Sequence, residues 1–409
     1  MTSHSAGLAP VTSGERIGEL DVLRGFALLG VLIANLFWFS IVLLSTPVPR
    51  MDAIFEDPVH APILFAVDWL VSDKANTTFA TLFGMGFWVQ MQRIKDRGGA
   101  FSATYLRRLF ILMAFGLVNI LLIWPWDILF IYSLAGILLF LLRNLPFRVM
   151  LGLGLLLVFA RPVLEYLAQV GGFEAIGEQA FTKEAAAARN AVFVGGTYPE
   201  WVAEAWQLFW VGGIKSLAIS NWVFYALGRF LIGASIVRSG WLDNIPEKLP
   251  KLRRAFFVFL LVGLIFEGLY AAHIFENELL GGLLHAGSSY ALAMGYGIGL
   301  ILFFNSPTLR SMVVPFAPVG RMALTNYMVQ GVFIGFVLYG FHGGMALAGT
   351  IEPQTALMAA VLFFIAQVAF SHLWLARYRF GPLEWLWRGL TYGKFTDIRN
   401  PPEGRPQPA

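Results

Sequence analysis

After Arg24 the chain runs to Arg50 without a charged side chain, through GFALLGVLIANLFWFSIVLL, and this run decides in which solvent the chain can fold. About 20 apolar residues rising ~1.5 Å each cross a hydrocarbon core of roughly 30 Å. Apolar runs recur near residues 20–44, 75–92, 107–123, 127–142, 147–170, 220–237, 255–273, 286–304, 316–340 and 354–376. The expected fold is therefore all-α, a polytopic transmembrane helix bundle of about ten crossings. Composition agrees. With 57% hydrophobic and 13% charged residues among 409, and a mean hydropathy of +0.68, the chain is too apolar for a soluble domain of its length.

The charges report topology. The net charge of +4 and pI near 9.3 come from basic residues in short loops between apolar runs, so they do not point to nucleic acid. With a cytoplasmic N-terminus, only Arg50, Lys74, Arg161, Lys183, Arg189 and Lys215 of the 29 Lys and Arg fall outside, and the group from Arg229 to Arg254 falls inside. Both termini are expected in the cytoplasm. Cysteine is absent, which excludes disulfides, thiolate metal sites, iron–sulfur ligation and a cysteine acyl-enzyme. There is no paired-histidine zinc motif and no glycine-rich nucleotide loop ending in Lys-Ser/Thr, so no metal is expected.

Three parts are expected: a polar tail over 1–18 with no cleavable leader, a transmembrane domain over 19–376, and a cytoplasmic interfacial helix and tail over 377–409. Residues 171–219 would form an outer cap; within it 201–219 would lie along or re-enter the outer face, as would an interfacial helix over 61–73 before the second crossing. In RYRFGPLEWLWRGLTYGK, tryptophans mix with cations as they do in interfacial helices.

Polar residues inside apolar runs are the candidate site. Asp or Lys at the centre of a membrane helix costs about 2.5–3.5 kcal/mol even on the insertion scale, so such groups have a partner or a wet cavity. Lys74, Asp127 and Glu267 qualify, and Arg24 and Arg321 are the deeper inner-side cations. Asp21 and Arg24, three apart, share one helical face as an ion pair or part of a site. Asp127 is equally suited to cap the helix that follows it. Tyr132, five residues later, is off that face. Asn326 and Gln330, four apart, would bind a neighbouring helix or a ligand. Among the histidines, His60 precedes Asp68, Asp73 and Lys74, and His285 sits beside Gly281, Gly282, Ser288 and Ser289. Gly84 and Gly86 in LFGMGF suit close helix packing.

Several blocks in order, LDVLRGFALLGVLIAN, FATLFGMGF, LRRLFILMAFGLVNILLIWPWDILFIYSLAG, GRMALTNYMVQ and FGPLEWLWR, resemble the YeiB family of bacterial inner-membrane proteins over nearly the whole chain. That family, of the DUF418 type, is grouped with the transmembrane acyltransferases, including heparan-glucosaminide acetyltransferase, partly through the aspartate-x-x-arginine-glycine opening matched by Asp21, Arg24 and Gly25. Family members commonly carry histidine where this chain has Asn119. Asparagine can orient a group but cannot serve as a base at neutral pH.

The resemblance implies an acyl or acetyl transfer from a cytoplasmic acyl-CoA or acetyl-CoA donor to a glycan, lipid or small-metabolite acceptor. Arg24 and Arg321 would hold the donor phosphates. His60 would act as base, Lys74 would stabilise the oxyanion, and Asp127 or Asp68 would orient partners. Asp21, Asn119, Tyr132, Asn326 and Gln330 would contact substrate. Two alternatives stand beside it: a transporter or flippase of a lipid or small anionic solute, and a noncatalytic membrane scaffold. Membrane lipids are the expected surroundings in each case, and the oligomeric state is left open.

Overall fold

The computed structural model describes residues 18–41, 48–96, 101–170, 182–216 and 218–400, so much of the polar tail, residues 171–181 of the cap and the last nine residues lie outside the described part. The described chain is helical. In order it forms α1 (Gly18–Ile41), α2 (Val48–Glu56), α3 (Ala61–Leu70), α4 (Lys74–Asp96), α5 (Phe101–Leu122), α6 (Leu129–Leu142), α7 (Phe147–Val170), α8 (Lys183–Gly195) and α9 (Tyr198–Gln207). A π-helical stretch, Leu208–Lys215, continues α9. Then follow α10 (Ala218–Arg238), α11 (Ile245–Ala271), α12 (Glu278–Phe304), α13 (Arg310–Val313), α14 (Phe316–Arg321), α15 (Ala323–Leu338), α16 (Pro353–Arg377) and α17 (Pro382–Tyr392).

Among the described residues nine of the ten expected apolar runs hold one helix each, and 316–340 is divided at Met322 into α14 and α15. Among the described residues, α1, α5, α7, α10, α11, α12 and α16 are long and apolar enough to span a bilayer. The other three depart for visible reasons. α4 has the length but carries Asn76, Thr77, Thr78, Thr81 and Gln90. α6 and α15 have only 14 and 16 residues. The expected interfacial segment before the second crossing is α3, and the segment after Trp201 is α9 with its π-helical extension.

Burial sorts the long helices into centre and rim. α1 and α10 are mostly enclosed by protein, whereas α7 and α11 show most of their surface. On α11 the exposed Phe257, Leu261, Ile265 and Leu269 follow one another every four residues, a stripe at helical spacing that lipid would cover. At the centre, glycines let backbones touch. A Cβ on Gly84 would overlap the Phe230 carbonyl, and one on Gly233 would overlap that of Thr81, so α4 and α10 meet backbone to backbone. Gly25 lies against the Phe316 carbonyl and Gly320 against that of Asp21, which docks α14 on the start of α1.

Polar side chains join α1, α15 and α16. Gln330 Nε2 donates to Gln367 Oε1 at 2.9 Å and to the Leu28 carbonyl at 3.3 Å. Asn326 Nδ2 donates to Ser371 Oγ at 3.0 Å and the Val319 carbonyl at 3.1 Å, and Gln367 Nε2 donates to the Asn326 carbonyl at 3.0 Å. Asn326 and Gln330 thus take the helix-binding alternative.

Candidate functional site

Two polar centres lie along the bundle. The first forms where α3 turns into α4. Asp73 has φ = +62°, a conformation uncommon for a residue with a side chain, and it reverses the chain so that Lys74 opens α4 pointing inward. Lys74 Nζ lies 2.5 Å from Glu267 Oε1 of α11 and donates to the Asp68 carbonyl at 2.6 Å. Both Lys74 and Glu267 are 1% exposed. Ser288 of α12 donates to Glu267 Oε2 at 2.6 Å.

His285 of α12 stands between two carboxylates. Its Nδ1 is 2.9 Å from Glu267 Oε1, a close approach that is not an aligned hydrogen bond, and its Nε2 is 3.8 Å from Asp73 Oδ2. The ring stacks on Tyr270 at 4.2 Å and stays 23% exposed, the accessible member beside a fully buried pair. Asp73 also receives the hydroxyl of Tyr225, with Arg229 Nη2 at 3.5 Å. Arg229 Nε donates to Thr77 at 2.8 Å, and its guanidinium lies over the Tyr225 ring at 3.3 Å. With a carboxylate on each side and its ring partly exposed, His285 is within reach both of the buried pair and of a bound molecule.

Here the topology reading needs correction. Arg229 does not belong with the loop group that ends at Arg254: it is in the middle of α10, 2% exposed, and it faces the cluster. Its charge is matched by Asp73, which explains how an arginine sits inside a helix that spans.

The second centre is a cavity of about 360 Å³ at the end of the bundle where α1 starts and α17 packs. Arg24, Arg93, Arg108, Arg321 and Arg388 line its mouth, with Asp21 and Glu384 as the acidic groups. Arg24 Nη1 pairs with Asp21 at 2.9 Å, and a Cβ on Gly86 would sit 3.3 Å from the other Arg24 nitrogen, so Gly86 leaves room for that guanidinium. Arg108 lies 3.8 Å over Trp387 of α17, whose Nε1 donates to the Arg108 carbonyl at 3.0 Å. Glu384 accepts from the Thr325 amide at 3.0 Å and its hydroxyl at 2.6 Å; burial pushes its carboxyl above the ordinary range. Deeper in, the lining turns apolar and aromatic, with Phe79, Phe83, Leu129, Tyr132 and Tyr327.

The sequence candidates separate into groups. Asp21, Arg24, Arg321 and Tyr132 line the cavity. Lys74 and Glu267 meet His285, and Asp68 joins them through its backbone carbonyl. His60 is elsewhere: it opens α3 and its Nε2 lies 2.9 Å from Glu352 before α16 and 3.8 Å from Asp57. Asp127 caps α6, accepting from the Phe130 amide at 2.8 Å and from Asn119 Nδ2 at 2.7 Å. Asn119, with no exposure, is a structural partner of that cap. Sequence reasoning missed Arg229, Tyr225, Arg93, Arg108, Arg388 and Glu384. The arginines carried a signal in their sidedness, but only tertiary packing shows that they face one cavity.

Fold and centres together define a polytopic α-helical membrane protein with a cationic cavity at one end and a buried acid–base cluster nearer the other. The chain belongs to the DUF418 family. The family described as "Protein of unknown function (DUF418)" matches residues 236–394. The "Uncharacterized protein YxaH" of Bacillus subtilis (strain 168) is 33% identical over 402 residues, covering 95% of this chain and 97% of its own. The "Uncharacterized protein YeiB" of Escherichia coli (strain K12) is 28% identical over 411 residues, covering 92% and 96%. The "Uncharacterized 39.9 kDa protein in amylase 3'region" of Bacillus acidopullulyticus is 27% identical over 407 residues, covering 94% and 96%.

Proposed function

We propose that the chain is an acyltransferase of the bacterial cytoplasmic membrane, with ten crossings and both termini inside. It would move an acyl or acetyl group from a cytoplasmic acyl-CoA to a hydroxyl or amine of a glycan, lipid or small metabolite. The observation that carries this is the cavity: arginines at its mouth, an apolar aromatic end, and an acid–base cluster behind that end. Guanidinium forks suit the donor phosphates. The apolar end suits the acyl group. His285 is better placed than His60 to take the acceptor proton, because Glu267 and Asp73 flank it and Lys74 lies beside it. The acceptor oxygen or nitrogen would attack the thioester carbonyl, the C–S bond would break, and CoA would leave as the thiol after accepting that proton.

One observation favours transport instead. Lys74, Glu267, Asp73 and Arg229 are mutually compensated charges inside the bundle, as on an ion pathway. Loss of the acetyl-CoA thioester decides between them, measured on purified protein with and without lipid and glycan fractions. Acceptor-dependent release of the CoA thiol is expected, falling by about 10²-fold or more in a folded His285→Asn variant. Folded protein that never consumes thioester but carries solute flux in liposomes would establish the transporter.

A further inference from the structure

The deep end of the cavity is closed by packed rings. Phe83 of α4 stacks on Phe230 of α10 with centroids 4.5 Å apart and planes 17° apart. Tyr132 of α6 meets both edge-on, at 5.6 Å from Phe83 and 5.1 Å from Phe230, and Phe79 lies 6.1 Å from Tyr132. The layer is anchored. Tyr132 donates its hydroxyl to the Asn76 carbonyl at 3.3 Å, and Gly84 seats α4 against the Phe230 backbone. Phe79, Phe83 and Tyr132 face the cavity, whereas Thr77, next to Asn76, and Arg229, next to Phe230, already belong to the ionic cluster. One layer of aromatic side chains therefore separates the two centres.

We infer that Phe79, Phe83 and Tyr132 form a partition that closes the deep end of the cavity and so sets how long an apolar tail it admits. Its position in the lining carries the inference. A tail entering past the arginines meets the faces of these rings before any charged group, and the rings are held by their neighbours rather than free to swing. With the acyl-donor reading, on which the length limit rests, the admitted group is a short acyl chain.

The 409 residues contain no cysteine, so single cysteines introduced into the chain report on the partition directly. Single cysteines at Gln90, which lines the cavity, and at Asn76, beyond the rings, are exposed to a membrane-impermeant maleimide from the arginine side in vesicles of known orientation. Labelling of Gln90→Cys is expected and labelling of Asn76→Cys is not. Adding Phe83→Ala, or Tyr132→Ala should the first variant not fold, makes Asn76→Cys reactive. Labelling of Asn76→Cys with all rings intact overturns the partition, and so does its continued protection in folded variants with either ring removed. These outcomes need no donor, so they stand apart from the acyl-CoA reading. In protein that binds acetyl-CoA, octanoyl-CoA is expected to bind at least about tenfold more weakly, and Phe83→Ala is expected to narrow that gap. An unchanged length preference in a folded Phe83→Ala protein overturns the length limit alone.

Discussion

Lys74 and Glu267 have no water to turn to if either loses its partner, since both are 1% exposed and 2.5 Å apart. Breaking a buried pair by removing one member strands the other charge, which costs about 3–5 kcal/mol, whereas removing both with apolar residues of similar size is often close to neutral. Glu267→Met alone, which leaves the Lys74 charge facing the Asp68 carbonyl, is therefore expected to lower thermal stability in detergent sharply, and Lys74→Met with Glu267→Met to recover most of the loss. A single variant as stable as the parent would mean that the pair is not buried. Asn119 makes a similar but smaller case. Its Nδ2 holds Asp127 Oδ2 at 2.7 Å, so Asn119→Ala is expected to cost roughly 1–3 kcal/mol by leaving a buried acceptor unpaired. At this scale the sequence announced Lys74, Glu267 and Asp127, because a charge inside an apolar run always needs an explanation. It chose His60 as the base, but that side chain lies beside Glu352 and Asp57, and His285 is the histidine that reaches Glu267. Both fall on the same expected side, and only the pairing of α11 with α12 brings His285 to Glu267. Arg229 was misplaced because it was grouped with the cations from Arg238 to Arg254 although it lies within the apolar run 220–237, and its partner Asp73 is distant in sequence.

α17 shows how an element is tied by one buried group. Glu384 accepts two bonds from Thr325, Trp387 reaches the Arg108 carbonyl, and together they hold α17 across the mouth of the cavity. Burial raises the carboxyl of Glu384 against the Thr325 bonds that lower it, so its proton is held more tightly in the docked helix than in the unfolded chain. The sign follows from linkage: a raised acid contributes most below its unfolded value near pH ~4.3, and the contribution declines as pH rises through the folded value. Amide exchange in α17 is expected to quicken over that rise, and Glu384→Gln to flatten the dependence while still accepting from the Thr325 amide. Equal pH dependence in both proteins would contradict this. The start of α1 depends on space rather than charge. Gly25→Val is expected to force α14 away, because a Cβ would overlap the Phe316 carbonyl, and to lower stability more than Gly152→Val, where nothing lies within 4 Å. Elements were the most legible level. Nine of the ten apolar runs hold one helix each and 316–340 is divided at Met322, since length and hydropathy are local properties but a break in the backbone is not written in them. The short α6 and α15 were less legible, because α6 starts at the Asp127 cap and α15 at the break at Met322, neither of which follows from composition.

Across the whole molecule, charge and shape agree on a direction. Arginines gather around the cavity at the end where α1 begins, and the acid–base cluster stands beyond the aromatic rings. Sidedness of the basic residues was readable along the chain, but their convergence on one cavity required α1, α4, α5, α14 and α17 to meet. On the proposed function this cavity binds an acyl-CoA through its arginines. Calorimetric titration of acetyl-CoA into the purified protein, compared with Arg24→Gln/Arg321→Gln, measures that binding. Saturable binding by the parent, weakened at least about tenfold in the double variant, is the predicted result. Unchanged affinity in the double variant, or no binding by folded parent protein, would contradict it.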